Sequence, residues 1–456
     1  MNFNNDIEYL GKISVGSKYR LYIVGGYVRD TVMGNIPKDL DILVDGPGEN
    51  PAIDFVKKYL TNAEGQFFIE EFGLARITSD NNNIIEFMMP REEVYEEKNR
   101  KPHVKKTTIE QDAIRRDFTM NTLMIDISTN KIIDPTGLGK SDINNKTIRC
   151  ANGNNMNKVF EDDPLRILRA YRFSLQLGFK IEEETYKAMR DKMHMLKHIS
   201  KERIRDEFNK ILTLKSGSDT MCTIWSMINT GCMVHIIPEL YKLMTTKEPQ
   251  PWHLDETTLE HTYRTIENTE PNLILRLAAL LHDIGKPLVA TTKEDGRPFY
   301  PGHHDDGAKL TEEILKGLKY DNTTIERVSK LVANHMLHHF DVSDKTWRKL
   351  KIKMDYDLGI LFDLWEADMW GCGIDRQEDL VHIENLREKI PKLEMPITLK
   401  PLINGKELMD YCNKGPGKWI GEINKVLIDK QLENPKLTKE EAWVITKEEI
   451  AADKSV

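Results

Sequence analysis

The chain has 456 residues, with 65 Lys and Arg against 73 Asp and Glu and a formal net charge of −8. That length exceeds one ordinary core and suggests about three domains. The acidic total excludes a protein that holds nucleic acid through bulk positive charge, so any such contact rests on local basic stretches such as 166–205. Cysteines 150, 222, 232, 372 and 412 form no Cys-x-x-Cys pair, which excludes a zinc ribbon or disulfide framework and fits a reducing, cytoplasmic setting.

The first residues lack the basic and apolar regions of an export signal. The most apolar run, 273–281, is short and interrupted by Arg276, so no membrane anchor is expected. Residues 21–24 read as a strand that runs into Gly25-Gly26, with a helix opening on Val28, Arg29 and Asp30. A second strand follows, on which Asp39 and Asp41 alternate. Side chains at i and i+2 leave a strand on one face, so both carboxylates can share a divalent cation pair while Leu40 turns to the core. The glycine pair lets phosphate approach backbone N–H groups, with Arg29 as the counter-charge. Singly these signals are weak, since a Gly-Gly step is usually just a turn and Asp-x-Asp occurs in many acidic loops.

Together, Gly-Gly-Tyr-Val-Arg-Asp at 25–30 and Asp-Leu-Asp at 39–41 resemble the class II tRNA nucleotidyltransferase and bacterial poly(A) polymerase family. The likeness continues through Ile-Glu-Phe at 85–87 with Arg91, 112–123, Asp-Pro-Thr-Gly-Leu-Gly at 134–139, 162–173, and Glu-Arg-Ile-Arg-Asp-Glu-Phe at 202–208. It implies an α+β fold: a small mixed or antiparallel-sheet, polymerase-beta-like head (1–148), a helical neck that reads the base (149–215), a helical domain (216–385) and a helical tail (386–456). It also implies that Asp39 and Asp41 hold Mg²⁺ with Glu86 as a third carboxylate. Gly26, Arg29 and Arg116 would meet phosphate or sugar, and Asp117 the ribose 2′-hydroxyl; a buried Arg–Asp brace is the structural alternative for the last two.

Asp163, Arg166, Arg169 and Arg172 recur every three residues and are expected to form a slowly turning stripe on one helix. By resemblance, Asp163 and Arg166 read cytosine or adenine, and Arg169 and Arg172 balance the triphosphate. A solvated helix with weak i, i+3 ion pairs is the plain alternative. Asp162 stands where the family usually has Glu, one methylene longer, which bears on how Arg166 is oriented. The basic run 98–106 lies where the family carries a loop, facing the acidic Glu92, Glu93, Glu96 and Glu97 in sequence.

After residue 255 come His261, His282-Asp283, His303, His335 and Asp368. His261, His282, Asp283 and Asp368 offer a mixed nitrogen and oxygen set for one metal, while His303 and His335 suit a second metal or a substrate phosphate. The region resembles HD phosphohydrolases, with Gly-His-His at 302–304 in place of the commoner Gly-His-Glu. That resemblance implies a divalent transition metal (Ni²⁺, Mn²⁺ or Co²⁺) and phosphatase, 2′-nucleotidase or 2′,3′-cyclic phosphodiesterase activity. The whole chain then reads as a CCA-adding enzyme that takes CTP, ATP and tRNA, a monomer or homodimer, with the basic residues of 387–430 touching tRNA. The alternatives are a poly(A) polymerase, a CC-only or A-only enzyme, or an HD phosphohydrolase with an inactive RNA-binding N-terminal half.

Overall fold

Short runs rich in Ile, Val and Leu, closed by glycine or acidic turns, confine most of the β-structure to the first third of the chain. In the computed structural model, which describes residues 3–94, 103–251 and 257–452, nine strands form there. They are Arg20–Val24 (β1), Leu40–Asp45 (β2), Glu64–Ile69 (β3), Leu74–Thr78 (β4), Ile84–Met88 (β5), Arg91–Val94 (β6), His103–Lys106 (β7), Met124–Asp126 (β8) and Lys131–Ile133 (β9). Seven make one sheet in the order β3-β4-β5-β2-β1-β8-β9, and β6 and β7 form a separate ribbon. All neighbours in the large sheet are antiparallel except β2 and β5. On one face of the sheet the helix Pro51–Tyr59 buries Phe55 and Val56, with Phe55 against Phe87, while Leu43 turns to the other face and packs with Tyr22, Val24 and Met124.

The backbone clusters into two units, residues 1–215 with 223–236 and residues 216–222 with 237–456. In the first, the sheet is followed by helices Met156–Asp162, Arg166–Leu177, Glu183–Lys192 and Lys201–Thr213. The expected four-residue stripe is cut here. Pro164 forces its predecessor out of the helical region, and Asp163 sits in extended backbone at φ −148°, ψ 97°. The helix begins only at Arg166, so Asp163 lies off it and three arginines share it. The stretch 146–157 is likewise more than a polar connector: Thr147–Ile148 pairs in parallel with Lys180–Ile181, and Cys150 is buried.

The second unit is helical. The apolar run Leu273–Leu281 is one buried helix, and the charge that interrupts it is satisfied internally, since Arg276 donates to Thr220 Oγ1 at 3.0 Å and the Thr269 carbonyl at 3.1 Å. Around it lie Thr258–Glu267, opened by a Thr257 and Glu260 capping box, with His303–Gly317, Asn322–Asn334 and Leu358–Gly371. The last helices, Gly405–Cys412, Lys418–Glu433 and Lys439–Ala452, close on a small core of Ile403, Leu408, Trp419, Ile423, Leu427 and Ala442. Among the described residues no helix is long and apolar enough to cross a membrane.

One buried carboxylate ties several head segments together. Asp112, fully buried, accepts through Oδ1 from the Arg91 amide and Arg115, and through Oδ2 from Arg116 Nε and Nη2 at 3.1 and 2.9 Å. Removing one member of a buried ion network leaves the other charges uncompensated. Asp112→Ala is therefore expected to destabilise the first unit by about 3 kcal/mol in urea unfolding followed by domain-resolved hydrogen exchange, with protection of the helix Leu273–Leu281 unchanged.

Candidate functional sites

In the first unit the parallel pairing of β2 with β5 sets Asp41 directly across from Glu86, and the antiparallel pairing with β1 sets it beside Val24. Asp39 stands one residue before β2, so it and Asp41 flank the buried Leu40. Gly25, at φ +72° and ψ −137°, turns the end of β1 into the helix Gly26–Val32, which starts two residues earlier than the sequence suggests. A Cβ on Gly25 would lie 3.5 Å from Asp41 Oδ2. The glycine thus serves both the left-handed turn and the close approach of backbone to carboxylate. Burial first, then Glu86 and Asp39, push the Asp41 carboxyl up to about 6. Glu86 and Asp39 thus act on Asp41, while Glu86 Oε1 is itself engaged by Arg76; a carboxylate that resists ionisation beside two others suits a hard divalent cation as its counter-charge.

The arginines collect on the other side of the same turn. Arg29 is buried and donates to Asp30 Oδ1 at 2.8 Å and Asn121 Oδ1 at 3.1 Å. Its guanidinium also lies 5.3 Å from the Phe173 ring centre, as does that of Arg169, while Arg172 is at 4.1 Å. Phe173 thus gathers three of the arginines named from sequence into one cluster. Their partners are carboxylates on other elements, not i, i+3 neighbours: Arg169 grips Asp117 at 2.9 and 2.5 Å, and Arg172 donates to Glu207 at 2.6 Å.

Asp117 also accepts from the Phe118 amide and Asn121, and although burial opposes ionisation, Arg169 and Asn121 hold it at about 2. Arg116 pairs with Asp112, so Arg116 and Asp117 each belong to an ion pair but not to the same one. Arg166 donates to the Val159 carbonyl and lines a cavity of about 250 Å³ with Asp162, Lys158 and Arg115, whereas Asp163 is engaged by Arg203 at 2.8 Å. Of the basic run 98–106, only 103–106 fall within the described residues, as β7; Glu96 and Glu97 lie outside them.

In the second unit all six metal-capable residues converge, without a helix carrying His282 and Asp283 together: Leu273–Leu281 ends just before them and the following turn swings the carboxylate round. His261 Nε2 is 2.8 Å from Asp368 Oδ1 and 3.1 Å from His282 Nε2, and His282 Nε2 is 3.1 Å from Asp283 Oδ2. The other oxygen, Asp283 Oδ1, is 3.2 Å from His303 Nε2 and 3.6 Å from His335 Nε2, and these two nitrogens are 3.2 Å apart. Asp283 therefore belongs to both triads.

In His282, His303 and His335 the Nδ1–H donates to the carbonyl of Ala279, Tyr300 and Val332, at 2.7 to 2.9 Å, which aims every Nε2 lone pair inward. Nitrogen lone pairs facing each other at such distances fit a cation between them. Without one, burial lowers His282 but Asp283 and Asp368 outweigh it and raise the imidazole to about 9, whereas burial brings His335 down to about 4. Lys286 and Glu248, which sequence reading left without roles, form a buried pair at 2.8 Å beside Asp283, and Lys286 reaches Asp283 Oδ2 at 2.7 Å. The ligands open into a cavity of about 340 Å³ whose wall carries Lys293, Arg297, Phe299 and Arg376. No motif announced those four.

Comparison with known proteins identifies the domains. Residues 21–149 match the model described as the poly A polymerase head domain, residues 178–244 the probable RNA and SrmB-binding site of polymerase A, and residues 258–365 the HD domain. The chain thus carries a poly A polymerase head domain, a polymerase A RNA-binding region and an HD domain, in that order. It is 29% identical over 336 residues to an A-adding tRNA nucleotidyltransferase of Deinococcus radiodurans, covering 70% of this chain and 75% of that one. The fold is shared with the Bacillus stearothermophilus CCA-adding enzyme in complex with CTP (TM-score 0.66, 20% identity, 99% of each chain). It is shared too with the Thermotoga maritima CCA-adding enzyme complexed with tRNA (TM-score 0.58, 20% identity, 98% of this chain and 95% of that one). The α+β head followed by helical domains is thus the fold expected from sequence.

The pKa shifts have consequences of opposite sense in the metal-free chain. Asp41 binds its proton more tightly folded than unfolded, so its contribution to stability is full at low pH and is lost as pH rises from about 4 to about 6. Melting curves of the EDTA-treated protein should show that loss, and Asp41→Asn should remove it. His282 is also raised, so its proton stabilises the second unit until pH passes about 9, and a metal must displace that proton. Apparent affinity for a divalent transition metal should therefore climb with pH up to about 9, with proton release in calorimetry; a flat profile from pH 6 to 9 would contradict the assignment.

Proposed function

We propose that the first unit transfers cytidylyl and adenylyl groups from CTP and ATP to the 3′ end of tRNA, completing or repairing CCA. The observation that carries this reading is the pairing of Asp41 with Glu86 across β2 and β5 beside the Gly25 turn, with Asp39 acting on the same carboxyl and Arg29, Arg169 and Arg172 gathered around Phe173. Glu86 would exchange its bond to Arg76 for the metal. The tRNA 3′-hydroxyl attacks the α-phosphate and pyrophosphate leaves. Mg²⁺ bound by Asp39 and Asp41, with Glu86, would activate the attacking oxygen and offset charge on the leaving group. The chain's own part is positional. Gly26 lets phosphate oxygens approach the first amides of its helix, Arg29 and Arg116 supply fixed positive charge, and Asp117 meets the ribose. Asp163 and Arg166 read the base, and Arg169 and Arg172 complete the charge balance. Using Asp163 for this requires exchange of its bond to Arg203, an exposed pair that is cheap to break.

In the second unit His261, His282, Asp283 and Asp368 would hold one divalent transition metal, Ni²⁺, Mn²⁺ or Co²⁺, with His303 and His335 serving a second metal or the substrate phosphate. Such a metal lowers the pKa of a bound water and polarises a phosphoryl oxygen. The reading is a phosphohydrolase for phosphomonoesters, 2′-nucleotides or 2′,3′-cyclic phosphates. The basic residues of the tail would follow the tRNA backbone.

A second reading, addition of A alone, is favoured by the A-adding relative. Extension of tRNAs ending at the discriminator base, at C and at CC, with CTP and ATP separately and together, decides between them. Ordered addition of three nucleotides supports CCA; extension of the CC-ended substrate alone selects A addition; a long A tail selects a poly(A) polymerase. Asp39→Ala with Asp41→Ala should lower nucleotidyl transfer at least a thousandfold (an order-of-magnitude expectation for losing metal catalysis) and leave phosphohydrolysis intact, and His282→Ala with Asp283→Ala should do the reverse. Loss of both activities in either folded variant would refute two separate sites.

A further inference from the structure

Between His282 and His303 lies a hairpin to which metal binding assigns no part. Thr291–Thr292 pairs with Pro298–Phe299, and a three-residue loop closes on Gly296 at φ +82°, with the Gly296 amide on the Lys293 carbonyl and the Lys293 amide on Arg297. Its far end is fixed to the site: the Tyr300 carbonyl accepts from His303 Nδ1, and the Tyr300 hydroxyl donates to the Lys247 carbonyl at 2.5 Å. Tyr300, which follows the hairpin directly, thus sits three positions from a metal-capable histidine and is bonded to it.

The cavity has two chemically distinct ends. His261, Asp283, His303 and Asp368 line it and are almost wholly buried. Phe299 also lines it yet is 44% exposed, which puts it at the mouth, and Lys293 Nζ lies 4.8 Å from its ring centre. Arg297 lies on the same wall, where among the described residues its side chain pairs with the exposed Asp295 at 2.6 Å. Exposed ion pairs are weak, so a phosphate can replace that partner. An aromatic face flanked by two cations is the combination that binds a base and its backbone in single-stranded nucleic acid. A bare phosphomonoester needs neither.

We propose that the hairpin is the leaving-group reader of the HD site: Phe299 stacks on the base of the nucleotide that carries the scissile phosphate, and Lys293 and Arg297 meet the next phosphate along the strand. The preferred substrate is then the phosphorylated end of an oligonucleotide, in preference to a free nucleotide or a small phosphate ester. This deepens the phosphohydrolase reading above and rests on it. Hydrolysis itself is unchanged: water adds to phosphorus, the ester P–O bond breaks, and the released alkoxide takes a proton to become the free hydroxyl.

The test uses the full metal-loaded chain with three substrates: glycerol 2-phosphate, a ribonucleoside 2′-monophosphate, and a dinucleotide ending in the same 2′-phosphate. Phe299→Ala should raise KM for both nucleotides by on the order of tenfold with kcat little changed, and Phe299→Tyr should restore it. Lys293→Ala with Arg297→Ala should raise KM for the dinucleotide alone and flatten its salt dependence. Glycerol phosphate turnover should be unaltered in all variants, which also reports a folded site. Unchanged nucleotide kinetics, or equal losses on all three substrates, would overturn the hairpin's assignment alone. Wild-type protein inert toward all three would overturn the phosphohydrolase reading and this inference with it.

Discussion

Confining acidic groups away from water without a matching cation is costly, and both units are organised around doing so. In the head the cost falls on Asp41, whose carboxyl resists ionisation because it is buried and because Glu86 and Asp39 add negative charge nearby. In the HD unit Asp283 and Asp368 are held well below the usual carboxylate range despite burial, by imidazolium and by Lys286. The same physical problem has two local answers: protonate the acid, or protonate its neighbours. Either proton is what a divalent cation would displace.

The scaffolds that impose this confinement differ. A single parallel pairing inside an otherwise antiparallel sheet brings Asp41 and Glu86 level, although some forty residues separate them. A purely antiparallel arrangement would need no crossover between them; here the helix Pro51–Tyr59 and the β3–β4 hairpin fill it. In the HD unit the ligands come from ends of helices and from turns. His303 opens a helix behind Gly302 at φ +70°, while His282 and His335 close helices, where an Nδ1–H can reach the carbonyl three residues back. Helix ends suit this task because their carbonyls are otherwise unpaired.

Much of this was legible in the residues. Alternation of Asp39, Leu40 and Asp41 pointed to a shared face, and the adjacent His282 and Asp283 with the later histidines pointed to a mixed nitrogen and oxygen set, whose members the fold brings together. What periodicity could not foresee was Pro164. Counting threes along Asp163, Arg166, Arg169 and Arg172 assumes an unbroken helix, and the pre-proline restriction removes Asp163 from it. The partners were equally hidden. Asp117 and Arg169 are 52 residues apart, and Glu207 and Arg172 are 35 apart, so no local pattern links them. Phe173 was visible as an apolar residue at the end of a motif, but that it gathers Arg29, Arg169 and Arg172 is a tertiary fact.

That gathering explains why the cluster can hold so much positive charge next to a metal site. Arg169 and Arg172 are each bound by a buried carboxylate, and Arg29 by Asp30 and Asn121, so the guanidinium planes are fixed before any ligand arrives. Fixed planes lose little entropy on meeting phosphate, and the charges facing Asp117 and Glu207 are already compensated. A polyanion entering between the carboxylates at the Gly25 turn and the arginines around Phe173 would meet donors that need not reorganise. Under the proposed function, discrimination among nucleotides would fall to the elements with exchangeable bonds. Arg166 donates to the Val159 carbonyl, and Asp163 accepts from the Leu165 amide and from the exposed Arg203. The rigid part of the site suits what every nucleoside triphosphate shares, and its loosely held part suits what distinguishes one base from another.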